Sequence, residues 1–343
     1  KRKMRRLAAE RWLEGIGAPP TWGGRGPAFV GLCYHGVATA QAPWPSYDPY
    51  LMVSQGFLER QLHLISRWFG AVTASELWAR LSRGPVSMPM ALVSFDDGMR
   101  SVAEAGAPLL RSYRVPATHF LNDSVLGSGW LWHDRAAAAA SALGSAREVY
   151  RCLFEVFGAK MPRLAEGAGG VAMATVGVLK CFSPPSIAAA VEALEARSGE
   201  RLETQGGYMS PEQVRALVAG GDEVGGHTRS HMILPSMTAQ QARAEVLENK
   251  AALEGLFGVP VRAFAYPNGD HDSRARRLMA QAGFDVAFEV EGHDGHGGRW
   301  ALGRRNICDE VCVDEHGCFS GALFLGWLLG PRRWMGHPSR TSR

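Results

Sequence analysis

The sequence has no apolar run long enough to cross a bilayer. Its nearest approach is the ten-residue run from Gly321 to Gly330, about half of the ~20 residues a spanning helix needs. It also lacks a secretory signal pattern: between Met4 and Ile16 the apolar residues are interrupted by Arg5, Arg6, Glu10, Arg11 and Glu14. The expectation is a cytoplasmic protein without signal peptide or transmembrane helix, or one peripheral at the inner membrane. Cysteine is scarce, with six in 343 residues, too few for a secreted disulfide scaffold. Cys33 sits in an apolar run and reads as a buried thiol, while Cys308, Cys312, His316 and Cys318 crowd together without the tight CxxC pair of common zinc sites. Charge of one sign is also scarce. A net charge of +4 is too mild for a nucleic-acid binder.

The small positive excess is concentrated at the ends. Lys1, Arg2, Lys3, Arg5, Arg6 and Arg11 open the chain; Arg332, Arg333, Arg340 and Arg343 close it. These read either as solvated tails or as contacts to anionic lipid. Met4, Leu7, Ala8, Trp12 and Leu13 have the spacing of an amphipathic helix, packed on the body or lying at a membrane surface. Residues 18–28 are rich in proline and glycine and read as a linker. This defines a basic N-terminal segment, 1–28, before the main domain at 29–310 and a C-terminal tail at 311–343.

What is present is apolar material, 46% of residues, arranged with an α/β rhythm. Phe29 to Tyr34, Ala91 to Phe95 and Ala117 to Leu121 read as buried strands. Phe57 to Phe69 and Ala107 to Tyr113 read as helices between them. Residues 125–205 break the rhythm; they are alanine-rich and mostly helical, and read as an inserted subdomain opened by Trp130, Trp132 and His133. The alternation resumes with helices at 211–219, 238–257 and 273–282. Strands are expected at 222–226, 261–266, 284–290 and, last, 300–303. Strands alternating with helices argue a parallel α/β arrangement.

Three polar clusters follow three of these strands. Ser94-Phe95-Asp96-Asp97-Gly98 ends the second strand. Adjacent buried carboxylates repel unless a cation separates their roles, one as ligand and one as base; the competing reading is an exposed turn. His227 and His231 follow the strand at 222–226. Their i, i+4 spacing would turn both rings to one side of a helical turn, as in metal-binding helices; the competing reading is two unrelated histidines. Tyr266-Pro267-Asn268-Gly269-Asp270 ends a further strand and can aim backbone N–H groups inward at an oxyanion, or be a plain turn. In parallel barrels the reactive groups lie at the C-terminal ends of strands.

In combination these clusters resemble the polysaccharide deacetylases of the NodB-homology type, carbohydrate esterase family 4. Residues 94–98 are similar to the family's T-F-D-D-G motif, 227–231 to H-[ST]-x-x-H, and 264–269 to F-A-Y-P-x-G. Tyr34-His35-Gly36-Val37 resembles the Y-H-x-V entry motif of bacterial exopolysaccharide deacetylases. The resemblance implies a distorted, incomplete (β/α) barrel with a helical insertion. It implies a divalent metal, zinc before others, held by Asp97, His227 and His231. Asp96 would be the general base for a metal-activated water, and Asn268 N–H would join the metal in stabilising the oxyanion. Tyr266, Pro267 and Asn268 would line the substrate; Trp132, with Trp130, reads either as an aromatic that stacks on a sugar face or as core packing.

The last motif departs from the family. Where many members carry L-x-H for the general acid, this chain has Leu302-Gly303-Arg304. Arginine does not release its proton at working pH, so Arg304 is expected to pair with Asp96 and hold it ionised. His35 is then the first candidate for the acid, with His293 and His296 second. His35 also reads as a structural histidine under the site. The family's usual arginine before the third motif falls near Arg262. The expected activity is removal of N-acetyl groups from a carbohydrate. The alternatives are hydrolysis of a non-sugar amide or cyclic imide on the same fold, and a non-enzymatic glycan-binding relative.

Overall fold

Apolar runs with few breaks become strands buried on both faces, as parallel sheets require. In the computed structural model, which describes residues 28–39, 51–162, 164, 170–202, 207–290 and 298–329, the clearest case is β5 (Met90–Asp97), with all eight residues buried. It lies between β1 (Phe29–Tyr34) on one side and, on the other, β6 (Thr118–Leu121) along its second half. A short strand, β4 (Gly70–Val72), occupies the same edge along its first half. The ring continues through β7 (Glu223–Gly226), β8 (Ala263–Ala265), β9 (Val286–Val290) and β10 (Leu302–Asn306), which returns to β1. Seven strands therefore close a parallel barrel, one fewer than the eight of a complete (β/α) barrel. Two further short strands, β2 (Gly36–Ala38) and β3 (Met52–Ser54), pair beside it.

Alternation along β5 decides what enters the barrel. Leu92 joins Phe120, Ala263, Ala265 and Phe288 in one buried cluster, while Val93 and Phe95 pack in another with Leu58, Leu62 and Ile65 of the helix at Gln55–Trp68. Ser94 and Asp96 share the face of Leu92, so the top of the barrel interior is polar. The helices Pro211–Ala219 and Ala239–Phe257 both start with full capping boxes, Ser210 with Gln213 and Thr238 with Gln241.

The insert forms its own core. Trp132–Leu143, Ala146–Phe157, Gly170–Leu179 and Pro184–Ser198 are helices packed around Ala136, Ala140, Leu153, Val176, Ile187 and Leu194. Alanine at the contacts lets these helices approach closely, and a two-pronged Arg135–Glu195 ion pair at 2.7 Å ties the first to the last.

Several elements differ from the sequence reading. The two aspartates lie within β5 rather than after it. The last strand begins later, at Leu302, and contains Arg304. His227 and His231 lie on no helix; they follow β7 in an irregular loop. The short strands β2, β3 and β4 and the helix at Ala74–Leu81 were not expected. Beyond residue 310, the helix Gly321–Leu329 buries Phe324, Leu325, Trp327 and Leu328 against the body. Cys308 and Cys312 are buried, and Cys312 Sγ accepts from Gln61 Nε2 at 3.3 Å; they form no metal-ligating group among the described residues. No described helix is long and apolar enough to cross a membrane. The basic segment at 1–27, the arginines after 330, and His293 and His296 lie outside the described residues.

Candidate active site

Asp97, His227 and His231 meet at the top of the barrel. Asp97 Oδ1 lies 3.4 Å from Nε2 of each imidazole, and the three ligating atoms all fall within 4.8 Å of one another. They converge without the helical turn that the i, i+4 spacing suggested. Left-handed backbone does the work instead: φ is 69° at Asp97, 61° at Thr228 and 57° at His231. Asn268 is also left-handed, at 59°, so four of the five described non-glycine residues with positive φ belong to this site. Such conformations persist only where the surroundings over-determine them.

Those surroundings are two buried asparagines and a tryptophan. Asn249 Oδ1 accepts from His227 N at 3.1 Å, and its Nδ2 donates to Leu121 O at 3.1 Å and Asp123 Oδ1 at 2.8 Å. Asn122 Nδ2 donates to the carbonyls of His227 and Thr228. Trp132 Nε1 donates to His231 O at 3.2 Å. Neither asparagine was singled out from the sequence. Asn249 alone carried a faint signal, an amide on the otherwise apolar face of an amphipathic helix.

The trio fits a divalent cation by its donor chemistry. His227 Nδ1 donates to the Ala265 carbonyl at 2.8 Å. That fixes the tautomer and leaves the Nε2 lone pair facing Asp97. Asp97 Oδ1 is buried yet has no well-formed hydrogen bond. Two imidazoles and one carboxylate are a common catalytic zinc set that leaves coordination positions for water and substrate.

Asp96 is held differently. Arg304 grips both its oxygens, Nη1 to Oδ1 at 2.6 Å and Nη2 to Oδ2 at 2.8 Å. The guanidinium is fully buried over the Phe120 ring, 4.9 Å from its centroid, and also donates to Ser94 Oγ at 2.9 Å. Burial pushes the Asp96 carboxyl up, but the Arg304 charge, then His227, outweigh it and the net shift is downward. Asp97 is pushed up by burial and carried well below its usual value by His231 and His227. Asp96 is therefore an ionised carboxylate beside the trio, 3.9 Å from His227 Nε2. Cys33 Sγ lies 3.3 Å from the same oxygen, Asp96 Oδ2. A ring nitrogen of His35 lies within 4.8 Å of both Cys33 Sγ and an Asp96 oxygen, and His35 Nδ1 is buried without a partner. Both Asp96 oxygens in this second group are engaged by Arg304.

The remaining residues fall around this centre. Tyr266 is fully buried and its hydroxyl donates to Trp300 O at 2.9 Å, so it shapes the loop from beneath. Pro267 is buried and Asn268 sits at the turn. Trp132 is only 7% exposed, and it reaches the site by supporting His231 rather than by offering a broad ring face. His133 stands edge-on to His231, ring centroids 4.7 Å apart, and burial lowers its pKa to about 4. Its neighbour Asp134 is pushed up to about 7 by burial, against a hydrogen bond from Tyr208. Arg262 lies away from the site and pairs with Asp285 at 3.4 Å.

A family model described as polysaccharide deacetylase matches residues 174–287. That segment contains His227, His231 and the Tyr266 loop; Asp96 and Asp97 lie outside it and are brought to it by the fold. Among solved structures, the chain is similar to the deacetylase PplD of Streptococcus pyogenes, solved in complex with acetate. The TM-score is 0.57 at 15% identity, covering 88% of this chain and 98% of that one. It is also similar to a de-N-acetylase from Aggregatibacter actinomycetemcomitans, with TM-score 0.53, 15% identity, and coverage of 88% and 99%. IcaB from Ammonifex degensii aligns with TM-score 0.50 at 18% identity over 81% and 91%. At these identities the likeness is one of fold. A search of curated protein sequences gives no significant match. Over residues 174–287, and in its motifs, the chain is similar to the polysaccharide deacetylases, and the solved structures share its barrel fold.

Proposed function

We propose that the chain is a metal-dependent hydrolase that removes N-acetyl groups from a carbohydrate. The observation that supports this most is the convergence of Asp97, His227 and His231 beside an ionised, arginine-gripped Asp96. Asp97, His227 and His231 would hold a divalent cation, zinc before others, which supplies Lewis acidity toward a carbonyl and lowers the pKa of water.

The chain's own residues account for the rest. Asp96 accepts the proton of the attacking water, and Arg304 keeps that carboxylate charged and aimed. The Asn268 amide has no acceptor among the described residues and faces the developing oxyanion. His35, whose ring reaches the Asp96 side of the site, delivers a proton to the leaving amine. Pro267 and Asn268 border the substrate, with Tyr266 and Trp132 behind them. The products are acetate and a free amino sugar. The substrate is an N-acetylated polysaccharide or glycan precursor, and contact of the basic ends with an anionic membrane surface would bring the enzyme to a lipid-linked one.

The test is acetate release from N-acetylated oligosaccharides together with zinc content. Asp97→Ala is expected to lose both metal and activity. Asp96→Asn is expected to keep the metal and lose ~10²–10⁴-fold in rate. Full activity in metal-free Asp97→Ala would overturn the assignment. Ring-opening of small imides without acetate release would favour the imide reading.

A further inference from the structure

Lys180 connects the helical insert to the turn that follows β8. Lys180 follows the helix Gly170–Leu179, and its Nζ donates to Asn268 Oδ1 at 2.7 Å. The other end of the same carboxamide donates to Asp270 Oδ2. Asn268 is thus held at both ends of its side chain while its backbone sits at φ 59°, ψ 5°. Asparagine tolerates this left-handed conformation when its side chain is engaged locally. The turn is closed by Gly269 N to Tyr266 O at 2.8 Å and Asp270 N to Pro267 O at 3.2 Å. Its far side is pressed on β9: a Cβ at Gly269 would meet the Val290 backbone N and O at 2.7 Å. β9 therefore bounds the turn on one side and Lys180 on the other. The Lys180 charge also lowers the pKa of His133 and His231, though less than burial does.

We propose that Lys180 is a positioning residue for the hydrolytic reaction, holding the Asn268 turn so that its free amide faces the reacting carbonyl. The proposal rests on the deacetylase reading for its kinetic consequence, not for its structural one. The insert then supports the oxyanion side of the site through Lys180, as it supports the His231 side through Trp132. A charge-assisted hydrogen bond on the carboxamide restricts a turn that would otherwise sample other backbone states.

Two measurements test this on the full chain. In metal-free protein, Lys180→Met is expected to speed amide hydrogen exchange at Gly269 and Asp270, and Lys180→Arg to leave it near wild type. In zinc-loaded protein, Lys180→Met is expected to lower kcat for acetate release ~10-fold, with KM within about two-fold and zinc content unchanged, and Lys180→Arg to recover most of the rate. In an Asn268→Gly background, where glycine takes the left-handed turn without a side chain, Lys180→Met should have no further effect. Unchanged exchange in Lys180→Met would overturn the proposal. So would an equal kcat loss in the Asn268→Gly background, which would place Lys180 on the substrate itself. If wild-type protein releases no acetate from any N-acetylated sugar, the deacetylase reading fails and the exchange measurement alone still decides the role of Lys180.

Discussion

Arg304 is the residue on which the chemistry turns. A guanidinium and a carboxylate buried together are costly to desolvate, and removing one partner strands the other charge at a cost of about 3–5 kcal/mol. Here the pair also governs the protonation of Asp96, the proposed base. Burial alone would raise the Asp96 carboxyl; Arg304 is the largest of the influences that lower it, with His227 and His35 behind it. Because the folded value lies below the usual carboxylate value, the pair contributes stability above that usual value. This is lost as pH falls through the folded one. In Arg304→Met burial is opposed only by His227 and His35, so the Asp96 carboxyl rises from its wild-type value. The acid limb of kcat should move to higher pH, and the stability deficit against wild type should be largest at neutral pH and shrink toward pH 4. A kcat profile from pH 4 to 9 and urea unfolding at its two ends measure both, and an unmoved acid limb would remove Asp96 as the base or Arg304 as its partner. Much at this scale was legible, because the aspartates and histidines cluster in short segments. The role of Arg304 followed from its inability to give up a proton. Lys180, Asn122 and Asn249 were not legible: their partners lie far off in sequence, as Asn249 and Leu121 do at 128 residues apart.

At the scale of elements, the loop after β7 shows how the wrong local geometry can give the right side-chain convergence. A helical turn would have brought His227 and His231 together through its own backbone bonds. The actual loop has left-handed Thr228 and His231 and is held from outside, by Asn249 and Glu245 on the helix Ala239–Phe257 and by Asn122. Asn249→Ala leaves His227 N, Leu121 O and the Asp123 carboxylate without their buried partner. It is expected to cost about 1–3 kcal/mol and to weaken zinc binding by ~10-fold or more through loss of ligand orientation. Chemical unfolding with chelator, beside a zinc titration of folded protein, separates the two; lost stability with unaltered zinc affinity would make Asn249 a core residue only. Most strands that were read correctly are continuous apolar runs, β7 with its glutamate and two glycines being the exception. Those missed are three-residue strands too short to show a period. β10 was placed too early because it carries two arginines in five residues, and a buried charge pair is invisible to hydrophobic patterning.

Across the whole molecule, the closure of the barrel and the chemistry share one seam. β1 lies between β5, which bears Asp96, and β10, which bears Arg304; the Asp96–Arg304 pair therefore spans the joint that makes an open sheet a ring. Pattern reading gave the strands but not their closure, because closure depends on spacing across the seam. That spacing is set in part by Gly31. A Cβ there would lie 2.8 Å from Gly303 O, 3.0 Å from Arg304 Cγ and 3.1 Å from Arg304 Cα. The backbone oxygen cannot yield without moving β10, so Gly31→Ala should displace the strand and its guanidinium together. The expected cost is about 1–3 kcal/mol of stability, with a fall in kcat beyond what lost folded protein explains, since small displacements of positioned groups are amplified in rate. Leu217→Ala provides the comparison. Leu217 is buried under the helix Pro211–Ala219, away from the seam, and its truncation should cost about 2–5 kcal/mol while leaving kcat per folded molecule unchanged. Thermal unfolding and active-site-normalised acetate release on the two variants decide the matter. If Gly31→Ala lost stability but kept its rate, the seam would be a closure device alone and its coincidence with the catalytic pair would carry no mechanical meaning.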